Sequence, residues 1–273
     1  MRRRRVLAGL MLIALLPACS FGPRSGGGYY EDDGPHARVP VDPHNVAEPV
    51  PRAETRSATG NKPYTVFGVN YRPLADGQGY RERGIASWYG KKFHGRKTSS
   101  GEVYDMYALS AAHKTLPIPS YARVRNLGNG KSVIVRVNDR GPFKENRLID
   151  LSYTAAARLG IVETGTGIVE VEAVTAADSG RVVAAPPAAP ATPGASPRLF
   201  LQVGAFSQRA NADLLRERLT AGQYGPVVVQ NAAGGQGTVY RVRIGPLAGV
   251  DEGDRIAARV AADGVRGAHV VVE

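Results

Sequence analysis

Short runs rich in β-branched and aromatic residues recur through the middle of this chain. They cover residues 85–89, 121–126, 132–138 and 168–174, each bounded by Gly, Pro, Asn or Asp, and they predict β-strands. The pair Asn129-Gly130 sits between the second and third runs and predicts a hairpin turn. One helical stretch interrupts them at residues 152–159, with Ser152 as N-cap and Gly160 as stop. Several short strands with one helix predict a small closed barrel.

The last quarter of the chain has a different rhythm. Residues 199–204 read as strand, 211–220 as helix, 227–230 and 238–244 as strands, 251–263 as helix and 267–272 as strand. That order, βαββαβ, predicts a four-stranded sheet backed by two helices. Side chains alternate across a strand, so Leu199, Leu201 and Val203 share the helix side with Tyr240, Val242 and Ile244. Phe200, Gln202, Val239, Arg241 and Arg243 then face away, on a surface able to hydrogen-bond a polar ligand. A merely solvated face is the plainer alternative.

Composition divides the chain further. Residues 20–80 hold 9 Gly and 8 Pro with no sustained period and read as a disordered tether. Residues 177–197 hold 7 Ala and 5 Pro and read as a linker. The two domains are therefore 81–176 and 198–273. The net charge of +11 divides as +3 over residues 1–80, +6 over 81–176, 0 over the linker and +2 over 198–273. At the start, Arg2 to Arg5 precede an apolar stretch, residues 6–17, that is too short to span a bilayer but suits a signal-peptide core. It ends in Leu16-Pro17-Ala18-Cys19, which resembles a bacterial lipobox. Segment 1–19 thus reads as a lipoprotein signal, with Cys19 carrying the lipid; plain secretion is the alternative. Cys19 is the only Cys, which excludes a disulfide framework and a multi-Cys metal site. No metal or cofactor is expected. A basic chain usually suggests nucleic acid, but a lipobox places this one outside the cytoplasm.

Polar chemistry concentrates in two places of the central domain. One runs from Trp88 and Tyr89 through Phe93 and His94 to Thr98, Ser99 and Glu102; the other is Asn138-Asp139-Arg140-Gly141-Pro142. Asp139 stands where a β-branched strand runs into a turn, and His113 follows two alanines. Each has a plainer reading: Asp139 ordering a turn, Glu102 solvated, His113 structural. Together, two carboxylates beside an aromatic-rich segment form the minimum set for breaking a glycosidic bond. No G-x-S-x-G element is present to suggest a nucleophilic triad.

These segments carry a family resemblance. Ala86-Ser87-Trp88-Tyr89-Gly90, Phe93-His94-Gly95, Thr98-Ser99-Ser100-Gly101-Glu102, Met106-Tyr107-Ala108-Leu109, Ala111-Ala112-His113, the run from Val135 to Pro142, and Ile149-Asp150-Leu151-Ser152 resemble the rare lipoprotein A family. Leu201-Gln202-Val203-Gly204-Ala205-Phe206 and the run from Tyr240 to Leu247 resemble the sporulation-related repeat (SPOR) domain. The likeness covers about 170 residues and implies a six-stranded double-psi β-barrel followed by an α+β SPOR domain with an RNA-binding-like layout.

The resemblance implies an endolytic peptidoglycan lytic transglycosylase. Such enzymes cleave the bond between N-acetylmuramic acid and N-acetylglucosamine without water, leaving 1,6-anhydro ends. It places the acid/base work on Asp139, with Glu102 as second carboxylate and His113 supporting, and the division between the two carboxylates stays open. Arg140, Tyr89, Thr98 and Asp150 fall on its motifs as substrate contacts. Gln202, Phe206, Arg241 and Arg243 fall on the SPOR motif as glycan contacts. It implies stem-peptide-free septal glycan as partner, cell-division proteins as further partners, and anchorage at the periplasmic face of the outer membrane. The alternative is a glycan-binding, expansin-like cell-division lipoprotein that does not cut.

Overall fold

The computed structural model describes residues 33–36, 39–178, 197–234 and 237–273. Cys19, the lipobox and most of the 177–197 segment lie outside the described residues.

Six strands close into a barrel: β3 (Arg81–Tyr89), β4 (Ser110–His113), β5 (Ser120–Asn126), β6 (Ser132–Asp139), β7 (Ile149–Ser152) and β8 (Thr166–Val174). Their order is β3-β7-β4-β6-β5-β8. The pairs β3/β7 and β4/β6 are parallel, and the remaining four pairs are antiparallel. Alternation explains which faces turn inward. Val133, Val135 and Val137 of β6, Ile149 and Leu151 of β7, and Ala86 and Trp88 of β3 fill the interior. Helix α1 (Tyr153–Leu159) packs Ala155, Ala156 and Leu159 against it. Its N-cap is Ser152, and Gly160 ends it at φ 70°. Asn129-Gly130 forms the expected turn, with Gly130 at φ 76°.

The sequence reading left out β4 and β7. Ser-Ala-Ala-His and Ile-Asp-Leu-Ser are four residues each and hold few β-branched side chains. They become strands because the barrel supplies neighbours on both sides.

Residues 39–80 are the clearest departure from expectation. Instead of a free tether, they lie along the barrel, held by side chain to backbone bonds. Arg158 binds the carbonyls of Pro43, His44 and Val46. Asn61 exchanges hydrogen bonds with the Ile118 backbone, and the Tyr64 hydroxyl donates to the Lys114 carbonyl. A short hairpin, β1 (Tyr64–Val66) and β2 (Val69–Tyr71), completes the strap. Its backbone bonds depend on contacts far away in sequence, so no local period announces them.

The second domain is a four-stranded antiparallel sheet in the order β10-β11-β9-β12. The strands are β9 (Leu199–Phe206), β10 (Val227–Gly234), β11 (Gly237–Leu247) and β12 (His269–Val272). Helices α2 (Arg209–Ala221) and α3 (Val250–Ala262) join Leu199, Leu201, Val203, Val242 and Ile244 in one core. This is the expected βαββαβ arrangement. The domain meets the barrel through Asp254, which pairs with Arg147 at 2.7 Å and accepts from Asn146 at 3.2 Å.

Candidate functional site

The site is built from one row of residues across four strands. Ser87 of β3 is in register with Asp150 of β7, Asp150 with Ala112 of β4, and Ala112 with Asp139 of β6. Directly paired residues share a face. The neighbours of this row, Ala86, Trp88, Ile149, Leu151, Ala111 and Val137, fill the core, so the row faces the outside of the barrel. A register shift between Ala111 and Ala112 leaves Asn138 as an extra residue in β6. That bulge re-aims the strand end and places Asn138 and Asp139 beside the loop that carries Glu102.

Hydrogen bonds close the loop onto the strand. The Ser99 backbone N–H and hydroxyl donate to Oδ1 of Asp139 at 2.8 and 2.6 Å, and the Arg140 N–H joins them at 2.8 Å. The Ser100 N–H donates to the Asn138 carbonyl at 3.2 Å. Oε2 of Glu102 accepts from the Asn138 amide at 2.9 Å and from the Arg136 guanidinium. Glu102 and Asp139, 37 residues apart in sequence, are therefore tied to the same strand end. Burial pushes the Glu102 carboxyl up, but the bonds from Arg136 and Asn138 outweigh it and hold it below the usual range. Asp150 goes the other way. Burial raises its carboxyl, the Asp139 charge adds to that, and the Ser87 bond with the Arg147 and Lys114 charges only partly offsets it.

Several expected contacts have other tasks. His113 is buried; its Nδ1 accepts from the Thr115 and Leu116 N–H groups at 3.1 and 2.9 Å. Its Nε2 therefore carries the proton and donates to the Tyr80 hydroxyl at 2.9 Å. Burial, with Arg140 and Lys114 nearby, pushes its pKa down to about 3, so it is a neutral structural imidazole. Arg140 directs four of its five N–H donors to the carbonyls of Gly60, His113 and Leu116 and to the Asn61 side chain. Tyr89 is buried and stacks on Tyr104 with centroids 4.0 Å apart. Thr98 is buried and shapes the loop through Ser100 and the Glu102 carbonyl. These three build the site from behind.

Sequence reading passed over Arg136, Ser87 and Glu54. Alternation in β6 puts Arg136 on the same face as Ile134, a signal available in the pattern. Glu54 had none, since it lies in the strap. It grips Arg136 through both carboxylate oxygens, at 3.1 and 2.7 Å, and that grip holds its pKa down to about 2. A cleft of about 1020 Å³ between the strap and the β5/β8 side includes Glu54 but none of Glu102, Asp139 and Asp150. No group of three or more metal-ligating side chains occurs among the described residues.

In the tail domain, Arg241 makes no side-chain hydrogen bond or ion pair among the described residues, and Gln202 is half-buried on the same face, in register with Arg243. Arg243 differs: it is buried and bonded to Gln202, Gln230 and Glu273. Phe206 also departs from expectation. A register shift between Val242 and Arg243 leaves Val203 unpaired and reverses the facing beyond it, so Phe206 packs with Tyr240 on the helix side. Of the four expected glycan contacts, Gln202 and Arg241 share the open face.

Comparisons with known proteins agree with this layout. A family model described as lytic transglycolase matches residues 81–173, and one described as SPOR domain matches residues 195–271. A protein of a Pseudomonas aeruginosa strain, named endolytic peptidoglycan transglycosylase RlpA, is 41% identical over 264 residues, covering 79% of this chain and 77% of its own. Its namesake in Vibrio cholerae is 48% identical over 171 residues, covering 63% and 64%. The crystal structure of the RlpA SPOR domain from Pseudomonas aeruginosa aligns at 32% identity and a TM-score of 0.26, covering 27% of this chain and 96% of that one.

Proposed function

The chain belongs to the RlpA family of endolytic peptidoglycan transglycosylases, and from that premise we propose that its barrel cuts the β-1,4 bond between N-acetylmuramic acid and N-acetylglucosamine. The strand is free of stem peptides, and the product end is 1,6-anhydro-muramic acid. The muramic 6-hydroxyl is the internal nucleophile, so no water needs activating. Positive charge develops at the anomeric carbon as the bond breaks, and fixed negative charge beside it lowers the barrier. The observation that carries the reading is the linkage of Glu102 and Asp139 to one strand end, through Asn138 and Ser99. Arg136 and Ser99 hold these carboxylates before substrate arrives, so little reorganisation accompanies the reaction.

Charge supports the choice of substrate. Peptide-free glycan exposes one lactyl carboxylate per disaccharide, and the barrel carries a net +6. On the tail sheet, Arg241 is the cation left to meet such a strand. We place the protein at the division septum, anchored by lipid on Cys19 to the outer membrane.

Mass spectrometry of peptide-free strands after incubation tests the reaction. Anhydro ends are expected; reducing ends would mark a hydrolase, and intact strands a binding protein. For the tail domain, Gln202→Ala with Arg241→Ala should weaken strand binding roughly tenfold, the scale of a lost charged hydrogen bond. Septal enrichment of a fluorescent fusion would fall with it, and unchanged enrichment would assign binding to another face.

A further inference from the structure

The proposed reaction needs one group that releases a proton and then takes one back. The hydrogen-bond partner of such a group must suit both states. Glu102 is bonded to the Arg136 guanidinium and the Asn138 amide, which only donate, and also to the Ser100 side chain. Two of the three partners of Asp139, the N–H groups of Ser99 and Arg140, also only donate. Asp150 has a hydroxyl partner without the donor-only partners that hold the other two. Its Oδ1 lies 2.5 Å from the Ser87 hydroxyl, which can donate to a carboxylate or accept from a carboxylic acid. No second hydrogen bond to its side chain is formed among the described residues.

Placement agrees. Asp150 and Asp139 flank Ala112 on the outer face of the barrel, in register on adjacent strands. Two strand spacings put their Cα atoms roughly 10 Å apart, with the buried Ala112 between them. That gap suits a sugar ring whose anomeric carbon faces one carboxyl and whose leaving oxygen faces the other. The charged neighbours are Asp139, Lys114 and Arg147, with the Tyr89 hydroxyl nearby. Lys114 Nζ donates to the Arg147 carbonyl at 2.7 Å, and the Arg147 guanidinium is held by Asp254. Both cations are thus engaged elsewhere.

We infer that Asp150, rather than Asp139 or Glu102, hands the proton to the leaving sugar oxygen and takes it back from the attacking hydroxyl. The inference rests on the transglycosylase reading. In the step, the bond from the muramic anomeric carbon to the glucosamine O4 breaks, and its electron pair goes to O4. The Asp150 proton completes that hydroxyl. A bond from the muramic O6 to the same carbon forms, and the O6 proton returns to Asp150. No water and no other reactant is consumed. The upward push of burial on this carboxyl keeps the acid form within reach. Asp150 thereby becomes a catalytic residue rather than a substrate contact.

The test uses the full chain on two substrates: peptide-free strands, and a short glycan whose leaving sugar is replaced by 4-nitrophenol, which departs without a proton. Asp150→Asn should lose about 10²–10⁴-fold on strands and a smaller factor on the nitrophenyl glycan, where the acid is not needed and only the base for O6 is missing, whereas Asp139→Asn should lose both alike. Asp150→Asn cutting strands within about threefold of wild type, or losing both substrates alike, would overturn the inference. Should that variant not fold, Ser87→Ala decides. Its hydroxyl favours the carboxylate, so its removal should carry the basic limb of the kcat/KM profile to higher pH; an unmoved limb overturns the assignment. Wild type that makes no anhydro ends would instead sink the transglycosylase reading itself.

Discussion

Asp139→Asn is expected to lower the production of anhydro ends by about 10²–10³-fold, the scale of losing one fixed electrostatic contact to a transition state. The substitution keeps an oxygen at the Oδ1 position, where the Ser99 N–H, the Ser99 hydroxyl and the Arg140 N–H converge. The loop and strand end should therefore stay in place while the negative charge is lost. Thermal melting within a few degrees of wild type would confirm that the fold survives. Binding to insoluble peptidoglycan should also persist, because the tail sheet is untouched. Anhydro ends at near the wild-type rate would remove Asp139 from the chemistry.

The second large effect is acid sensitivity. His113 is buried neutral, with its pKa pushed down to about 3 from an ordinary 6.5. The unfolded chain therefore binds a proton below pH 6.5 that the folded chain refuses. Stability from this residue is complete above pH 6.5 and is lost as pH falls toward 3. At pH 5 the loss is roughly 2 kcal/mol, a fall in Tm of about 4–8 °C for a chain of this size. Asp150, raised by burial, opposes this in its own range because its folded form keeps a proton longer. Glu54, held down to about 2, adds to the loss only below about pH 4.5. Melting curves of wild type and His113→Gln at pH 7 and pH 5 separate the terms. The variant should be less stable at pH 7, since Thr115 and Leu116 lose a buried acceptor, but its Tm should change less between the two pH values. An equal drop in both proteins would show that another group carries the acid response. Activity per folded molecule should fall far less in His113→Gln than in Asp139→Asn, because both ring nitrogens of His113 are committed to the scaffold.

The two carboxylates of the site illustrate how much was legible beforehand. Glu102 and Asp139 were visible as acidic residues in polar loops, and motif likeness joined them. The protonation of Glu102 could not be read, because it depends on the Arg136 guanidinium beside it. Asp150 looked like a substrate contact in a short Ile-Asp-Leu-Ser run. Only register, which sets it one strand from Ala112 and two from Asp139, suggests the proposed proton transfer. Phe206 departs for the same reason: a motif names a residue type but does not say where its side chain ends.

Local order was decided by the sequence itself. Alternation placed most strands, Ser152 and Gly160 bounded the short helix, and Asn129-Gly130 made the hairpin, since these signals act over a few residues. Tertiary structure alone decided the parallel pairs β3/β7 and β4/β6, the strap of residues 39–80 and the bulges at Asn138 and Val203. It also moved the titration of His113 and Glu102 down and that of Asp150 up. Each of those depends on groups brought together from distant parts of the chain, and on burial that no local window contains.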